Sequence, residues 1–199
     1  MERYQIKQVT NMSRLVNQLE KMFRELNKDF FDNRLEMPVI TVFPTSRSFA
    51  HYTPWDAWQT KDKQRREINI ASGTLNRPLE LIAASLVHEM VHMYSDTILG
   101  VQDCSRQNTY HNRLFAKACS EHGLICTKTE RYGWSRTEPD DRLLEWVLLH
   151  DEFREIEMCR QNGGATAIGI GAKAAQGGAG AATLKGHSRR YIYAHAVIQ

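Results

Sequence analysis

Residues His88-Glu89-Met90-Val91-His92 restrict this chain more than any other five, because they set two histidines and a glutamate inside an apolar segment. Leu79, Ile82, Ala83, Leu86, Val87, Met90 and Val91 recur at helical spacing around them. Asn76 offers an N-cap, Pro78 suits the first turn, and Gly100 closes the segment. A helix advances about 3.6 residues per turn, so His88 and His92 stack on one face about 5–6 Å apart. From Leu81 to Met93 the helix is apolar nearly all round, which predicts burial. Buried imidazoles and a buried carboxylate are costly without partners. A metal ion beside a polar cleft satisfies all three together, with His88 and His92 as ligands and Glu89 next to the metal as acceptor of a water proton. The alternative is a pair of core histidines held by ordinary hydrogen bonds.

A chain of 199 residues, 42% hydrophobic and 25% charged, is large enough for one domain with a core. No apolar run reaches the roughly 20 residues of a membrane span, and Met1 to Lys7 lacks the apolar core of a signal peptide. The expectation is a cytoplasmic protein without membrane contact. The net charge of +3 permits nucleic-acid contact without arguing for it. Basic residues cluster at Lys61, Lys63, Arg65 and Arg66, and again at Lys185, Arg189 and Arg190. Cys104, Cys119, Cys126 and Cys159 form no CxxC pair, so they read as thiols rather than as a zinc ribbon.

The pattern predicts an α+β fold. Ser13 caps a first helix running to about Asp32, with Leu15, Leu19, Met22, Phe23, Leu26 and Phe30 as its apolar stripe. Val39–Phe43, Phe49–Thr53 and Glu67–Ala71 read as the strands of a small three-stranded sheet, the first two stopped by Pro44 and Pro54. Trp55, Trp58 and the first basic cluster fall in a hairpin loop. After the His88 helix come a loop over Val101–Thr109, a helix over His111–His122 ended by Gly123, a loop over Arg131–Pro139 and a last helix over Asp140–Cys159. Residues 1–160 are read as one domain and 161–185 as a Gly/Ala-rich linker or loop. Residues 186–199 are read as a strand-like segment, with Tyr191–Ile198 alternating.

A catalytic zinc takes three protein ligands and keeps an open position. His111, nineteen residues after His92, is the best third candidate, facing inward from the first turn of the next helix. His122 lies almost three turns further on and suits a helix end. Asp96, one turn after His92, is better placed to support His92 from behind than to bind. Glu145 and His150 remain open.

Several segments, in order, resemble the SprT-like zinc metallopeptidases. They are Leu26-Asn27-Lys28-Asp29-Phe30-Phe31 with Leu35-Glu36-Met37-Pro38; the strand Glu67-Ile68-Asn69-Ile70-Ala71; the helix Leu86 to Tyr94; and Tyr110-His111-Asn112-Arg113-Leu114-Phe115, similar to the family's His-Gly-x-x-Phe. The resemblance covers roughly residues 12–150, and the order of the four segments makes it specific. It implies a compact minimal zincin-type metallopeptidase domain, with one Zn2+ held by His88, His92 and His111 and Glu89 as general base. Eukaryotic members cleave proteins crosslinked to DNA, with DNA as activator; this chain looks closer to the less defined bacterial and phage-type members. Two departures stand out. Asn112 replaces the glycine after the third histidine. Lys185 to Ala194 is similar to the lead-in of the family's zinc ribbon, but Ala194 stands where a cysteine is expected and no CxxC follows.

The expected chemistry is peptide-bond hydrolysis. The metal polarises the scissile carbonyl and acidifies its water, Glu89 moves the proton to the leaving amine, and Tyr94, Tyr110 or Tyr132 is a candidate oxyanion donor. The alternative is a DNA-associated binding module with a structural metal, in which Trp55 and Trp58 stack on single-stranded DNA and Lys61, Lys63, Arg65 and Arg66 neutralise it. A non-peptidase zinc hydrolase is a third reading.

Overall fold

Helix α1, Met12–Phe31, starts two residues earlier than a cap at Ser13 would allow, because the Asn11 side chain accepts the Arg14 N–H at 3.0 Å and takes the cap. The computed structural model describes residues 8–45, 48–106 and 108–161, and the elements all lie in the unit that ends at Cys159. The stripe Leu15, Leu19, Met22, Phe23 and Leu26 is buried, as its period requires. The helix ends where Asp32 and Asn33 turn left-handed. Asn27 then secures the exit: it donates to the Leu35 carbonyl at 2.9 Å and accepts the Leu35 N–H at 3.1 Å.

Strand β1, Val39–Thr41, is parallel to β3, Gln64–Ile70, and β3 is antiparallel to β2, Ala50–Gln59, in the order β1-β3-β2. β1 stops short of Phe43 because the Phe43 N–H turns to the buried Asn69 side chain, at 2.7 Å. β2 does not stop at Pro54. It continues through Trp55 and Trp58 to a turn at Thr60–Lys63, with a register irregularity between Thr53 and Trp58. Pro54 is tolerated because β2 is an edge strand and a proline facing the open side removes no ladder bond. The expected hairpin loop is therefore a strand ribbon.

A 3-10 turn at Ser72–Thr74 leads to α2, Leu79–Tyr94. Asn76 does not cap it; the N-cap position is Pro78, and no side chain bonds the first turn. Ile82, Ala83, Leu86, Val87, Met90 and Val91 are all buried. A π-helical turn, Ser95–Leu99, follows, and Gly100 closes it in the left-handed region, as the sequence suggests.

A second sheet was not foreseen. It joins β4 (Cys104–Ser105), β5 (Tyr110–His111), β6 (Leu124–Thr129) and β7 (Gly133–Pro139) in the order β4-β5-β7-β6. β7 occupies the segment expected to be loop. Between β5 and β6 lies α3, Arg113–Glu121, and after β7 comes α4, Asp141–Leu149. α3 starts after His111 because the Asn112 side chain accepts the N–H groups of Leu114 and Phe115 at 2.8 and 3.3 Å. α4 ends ten residues before Cys159 because the chain turns to pair with Val9: the Val9 N–H reaches Glu155 and the Glu157 N–H reaches Val9. Phe153 and Ile156 are buried there without being helical.

No helix among the described residues is long and apolar enough to cross a membrane. Residues 163–183, the basic cluster Lys185, Arg189 and Arg190, and the segment 186–199 lie outside the described residues. Asn27→Ala leaves the buried Leu35 N–H and carbonyl without partners, each at about 1–3 kcal/mol. Urea unfolding of that variant is expected to show a loss of about 2–4 kcal/mol with an unchanged m value.

Candidate metal centre

His88 and His92 project from one face of α2 and meet His111 of β5. The Nε2 atoms of the three rings lie 3.3 Å (His88–His111), 3.3 Å (His88–His92) and 3.1 Å (His92–His111) apart. Zinc–nitrogen bonds of about 2.0–2.1 Å at tetrahedral angles place ligand nitrogens about 3.3–3.4 Å from one another. The cluster therefore has the dimensions of three corners of a zinc tetrahedron.

The far side of each ring decides which nitrogen faces inward. His92 Nδ1 lies 2.9 Å from an Asp103 carboxylate oxygen, which can only accept, so Nδ1 carries the proton and Nε2 presents a lone pair. His88 Nδ1 is 2.9 Å from the Thr137 hydroxyl on β7. His111 Nδ1 is buried without a hydrogen-bond partner among the described residues. Burial and the neighbouring imidazoles push His88 well below its ordinary pKa, and burial with His92 beside it brings His111 down to about 4. For His92 burial acts downward, but the Asp103 and Glu89 carboxylates outweigh it and raise the ring's pKa. Neutral imidazoles at His88 and His111 suit metal ligation, and the three Nε2 atoms converge closely enough to hold one metal ion. The residues fit a zinc ion.

His111 reaches the cluster from a strand, not from a helical turn. Its N–H bonds the Tyr132 carbonyl at 2.9 Å, and its backbone passes so close to Gly133 that a Cβ there would sit 2.1 Å from the His111 oxygen. Gly133, at φ +67°, is needed for this approach. Phe115, one turn into α3, packs its ring 4.4–4.8 Å from all three imidazoles.

Glu89 is 6% exposed and borders a cleft of about 440 Å3, whose walls include Ala50, His51, Tyr52, Asp103 and Cys104. Burial pushes its carboxyl pKa up to about 7, against the pull of His92 and of the Tyr52 backbone N–H. A carboxyl poised near neutrality can both take and release a proton.

Asp96 does not support His92. It sits in the π turn and accepts the Tyr52 hydroxyl at 2.6 Å and the Arg66 guanidinium at 2.7 Å, while Asp103 holds His92. His122 stands outside the cluster: its Nδ1 donates to the Phe30 carbonyl at 2.6 Å and its ring stacks on Phe31. His150 bonds the Trp146 carbonyl and stacks on that ring, and Glu145 is exposed on α4. Tyr94, Tyr110 and Tyr132 do not line the cleft; Tyr52 does. Asp103 also joins His92 and Cys104 in a second grouping of ligand atoms, but burial pushes the Cys104 thiol up to about 12, which disfavours the thiolate a metal needs.

Of the proposed DNA contacts, Trp55 is 65% and Trp58 40% exposed, with the Trp58 indole donating to Glu67. Lys61 is exposed, Lys63 pairs with Glu36 at 3.7 Å, and Arg65 is partly buried. Arg66 is engaged by Asp96 and Tyr52. The sequence reading missed Asp103, Thr137 and Tyr52. Comparisons with protein families, with curated proteins and with solved structures return no match for this chain.

Asp103→Asn keeps the shape but removes the carboxylate that fixes the His92 tautomer, and is expected to weaken zinc binding about 10–100-fold. Competition titration against a chelating dye measures it; Thr137→Val, which frees His88 Nδ1, shifts the same curve in the same direction.

Proposed function

We propose that this chain is a zinc-dependent metallopeptidase of the SprT-like type. The observation that carries the reading is the convergence of His88, His92 and His111 beside Glu89 at the floor of one cleft. Zinc, when bound, supplies a Lewis acid and acidifies its water toward pH 7. Glu89 accepts the water proton and returns it to the leaving amine, and the Tyr52 N–H keeps its carboxylate aimed at the cleft.

The substrate side favours a peptide over other hydrolysable groups. The Ala71 N–H bonds the Phe49 carbonyl, so Phe49, His51 and Thr53 face β3, and alternation turns the backbone groups of Ala50 and Tyr52 away from it. Both residues line the cleft. With the Tyr52 N–H given to Glu89, an extended peptide can add along the rest of this edge, at Ala50 and the Tyr52 carbonyl. That arrangement would hold a scissile bond alongside Glu89.

A DNA-associated role has its own support in the ribbon that projects Trp55 and Trp58 beside Lys61, Lys63 and Arg65. Exposed indoles interleaved with cations suit stacking on single-stranded DNA. We combine the two: the ribbon recruits DNA and the cleft cuts proteins associated with it. A binding module with a structural metal is the alternative, and it makes Glu89 dispensable.

Glu89→Gln should retain zinc and lose at least about 100-fold in cleavage of a basic protein assayed with and without single-stranded DNA. Cleavage by that variant at the wild-type rate would sink the peptidase mechanism. DNA binding without cleavage by either form would leave the binding module.

A further inference from the structure

Cys119 stands in the last turn of α3 and Cys126 in the middle of β6, and the two thiols interact with one another. Cys119 is fully buried and Cys126 half-buried. Neither lines the cleft, and the proposed hydrolysis uses neither.

Each thiol is one step from a residue that orients the histidines. Cys126 is the cross-strand partner of Thr137, so their side chains share one face of the sheet, and Thr137 holds His88 Nδ1 at 2.9 Å. Cys119 lies one turn beyond Phe115 on the same helix face, and Phe115 packs on all three imidazoles. The pair thus ties together the two supports behind the cluster.

The geometry points to Cys119 and Cys126 as an oxidisable dithiol that closes to a disulfide with hydrogen peroxide as oxidant and, in closing, loosens the metal cluster. Cys126 reacts first, because it is the more accessible. The neighbouring Cys119 thiol also holds its pKa below that of an ordinary thiol, while burial raises that of Cys119. The Cys126 thiolate attacks one peroxide oxygen and the O–O bond breaks, leaving a sulfenic acid and a hydroxide that takes up the thiol proton as water. The Cys119 sulfur then gives up its proton and attacks the sulfenic sulfur. The S–O bond breaks, and the departing hydroxide leaves as a second water. Two thiols lose two electrons in total, and the peroxide oxygens gain them. An S–S bond of about 2.05 Å is much shorter than any non-bonded contact between two thiols, so closure draws α3 toward β6 and moves Phe115 and Thr137 with them.

The effect on the metal rests on the zinc reading of the cluster; the dithiol itself does not. The test uses the full chain, loaded with zinc and checked for metal content before hydrogen peroxide is added. Peptide mapping reads the linkage and a chelating dye reads released zinc. The expected result is a Cys119–Cys126 linked peptide with zinc release on the same time course, both reversed by dithiothreitol. Cys159→Ser, which removes a thiol outside the cleft lining, should behave as wild type. Cys126→Ser and Cys119→Ala should lose the linked peptide and the peroxide-induced release. Absence of the linked peptide, linkage with zinc fully retained, or wild-type release from Cys126→Ser would overturn the inference. A chain that takes up no zinc at the outset refutes the metal reading instead, and the linked peptide still decides the dithiol.

Discussion

Three imidazole nitrogens lie within 3.1–3.3 Å of each other at the floor of the cleft, and much of the structure exists to keep them there. Lone pairs aimed at a common point repel, and burial removes the water that would separate them. A divalent cation would convert that repulsion into three bonds. Such an ion would account for the way His88, Glu89 and His92 interrupt a helix that is otherwise apolar on nearly every side.

Both sheets answer to this cluster. The second sheet delivers His111 through β5 and Thr137 through β7, and the close passage of His111 over Gly133 sets the height at which the third ring arrives. The first sheet ends in the edge strand β2, which forms one wall of the cleft and lends the Tyr52 N–H to Glu89. The Tyr52 hydroxyl, Asp96 and Arg66 lock the same strand to the turn after α2. The cleft wall and the histidine cluster are thereby joined through side chains as well as through packing.

The parts legible in the sequence were those governed by burial. The α1 stripe and the apolar body of α2 declared themselves by period, and three histidines of the right kind were recognisable by spacing and by resemblance. Half-exposed structure was harder to read. β6 and β7 carry Thr127, Lys128, Arg136 and Glu138 on a face open to water, so neither an apolar run nor a clean alternation marks them. Pro54 looked like a stop, yet an edge strand tolerates it. Phe153 and Ile156 continue the apolar spacing of α4 but are buried by a turn and a bridge to Val9. Asp103 and Thr137 act through single tertiary hydrogen bonds, which leave no local pattern. Asn112, which stands where SprT-like peptidases carry a glycine, caps α3.

The most direct test of the metal centre is zinc X-ray absorption on the zinc-loaded full chain. The account predicts one zinc per chain surrounded by nitrogen and oxygen alone, at about 2.0–2.1 Å, with the multiple-scattering signature of imidazole. A sulfur neighbour at about 2.3 Å, which would bring Cys104 into the coordination in place of His111, or failure to bind zinc stoichiometrically, would contradict it.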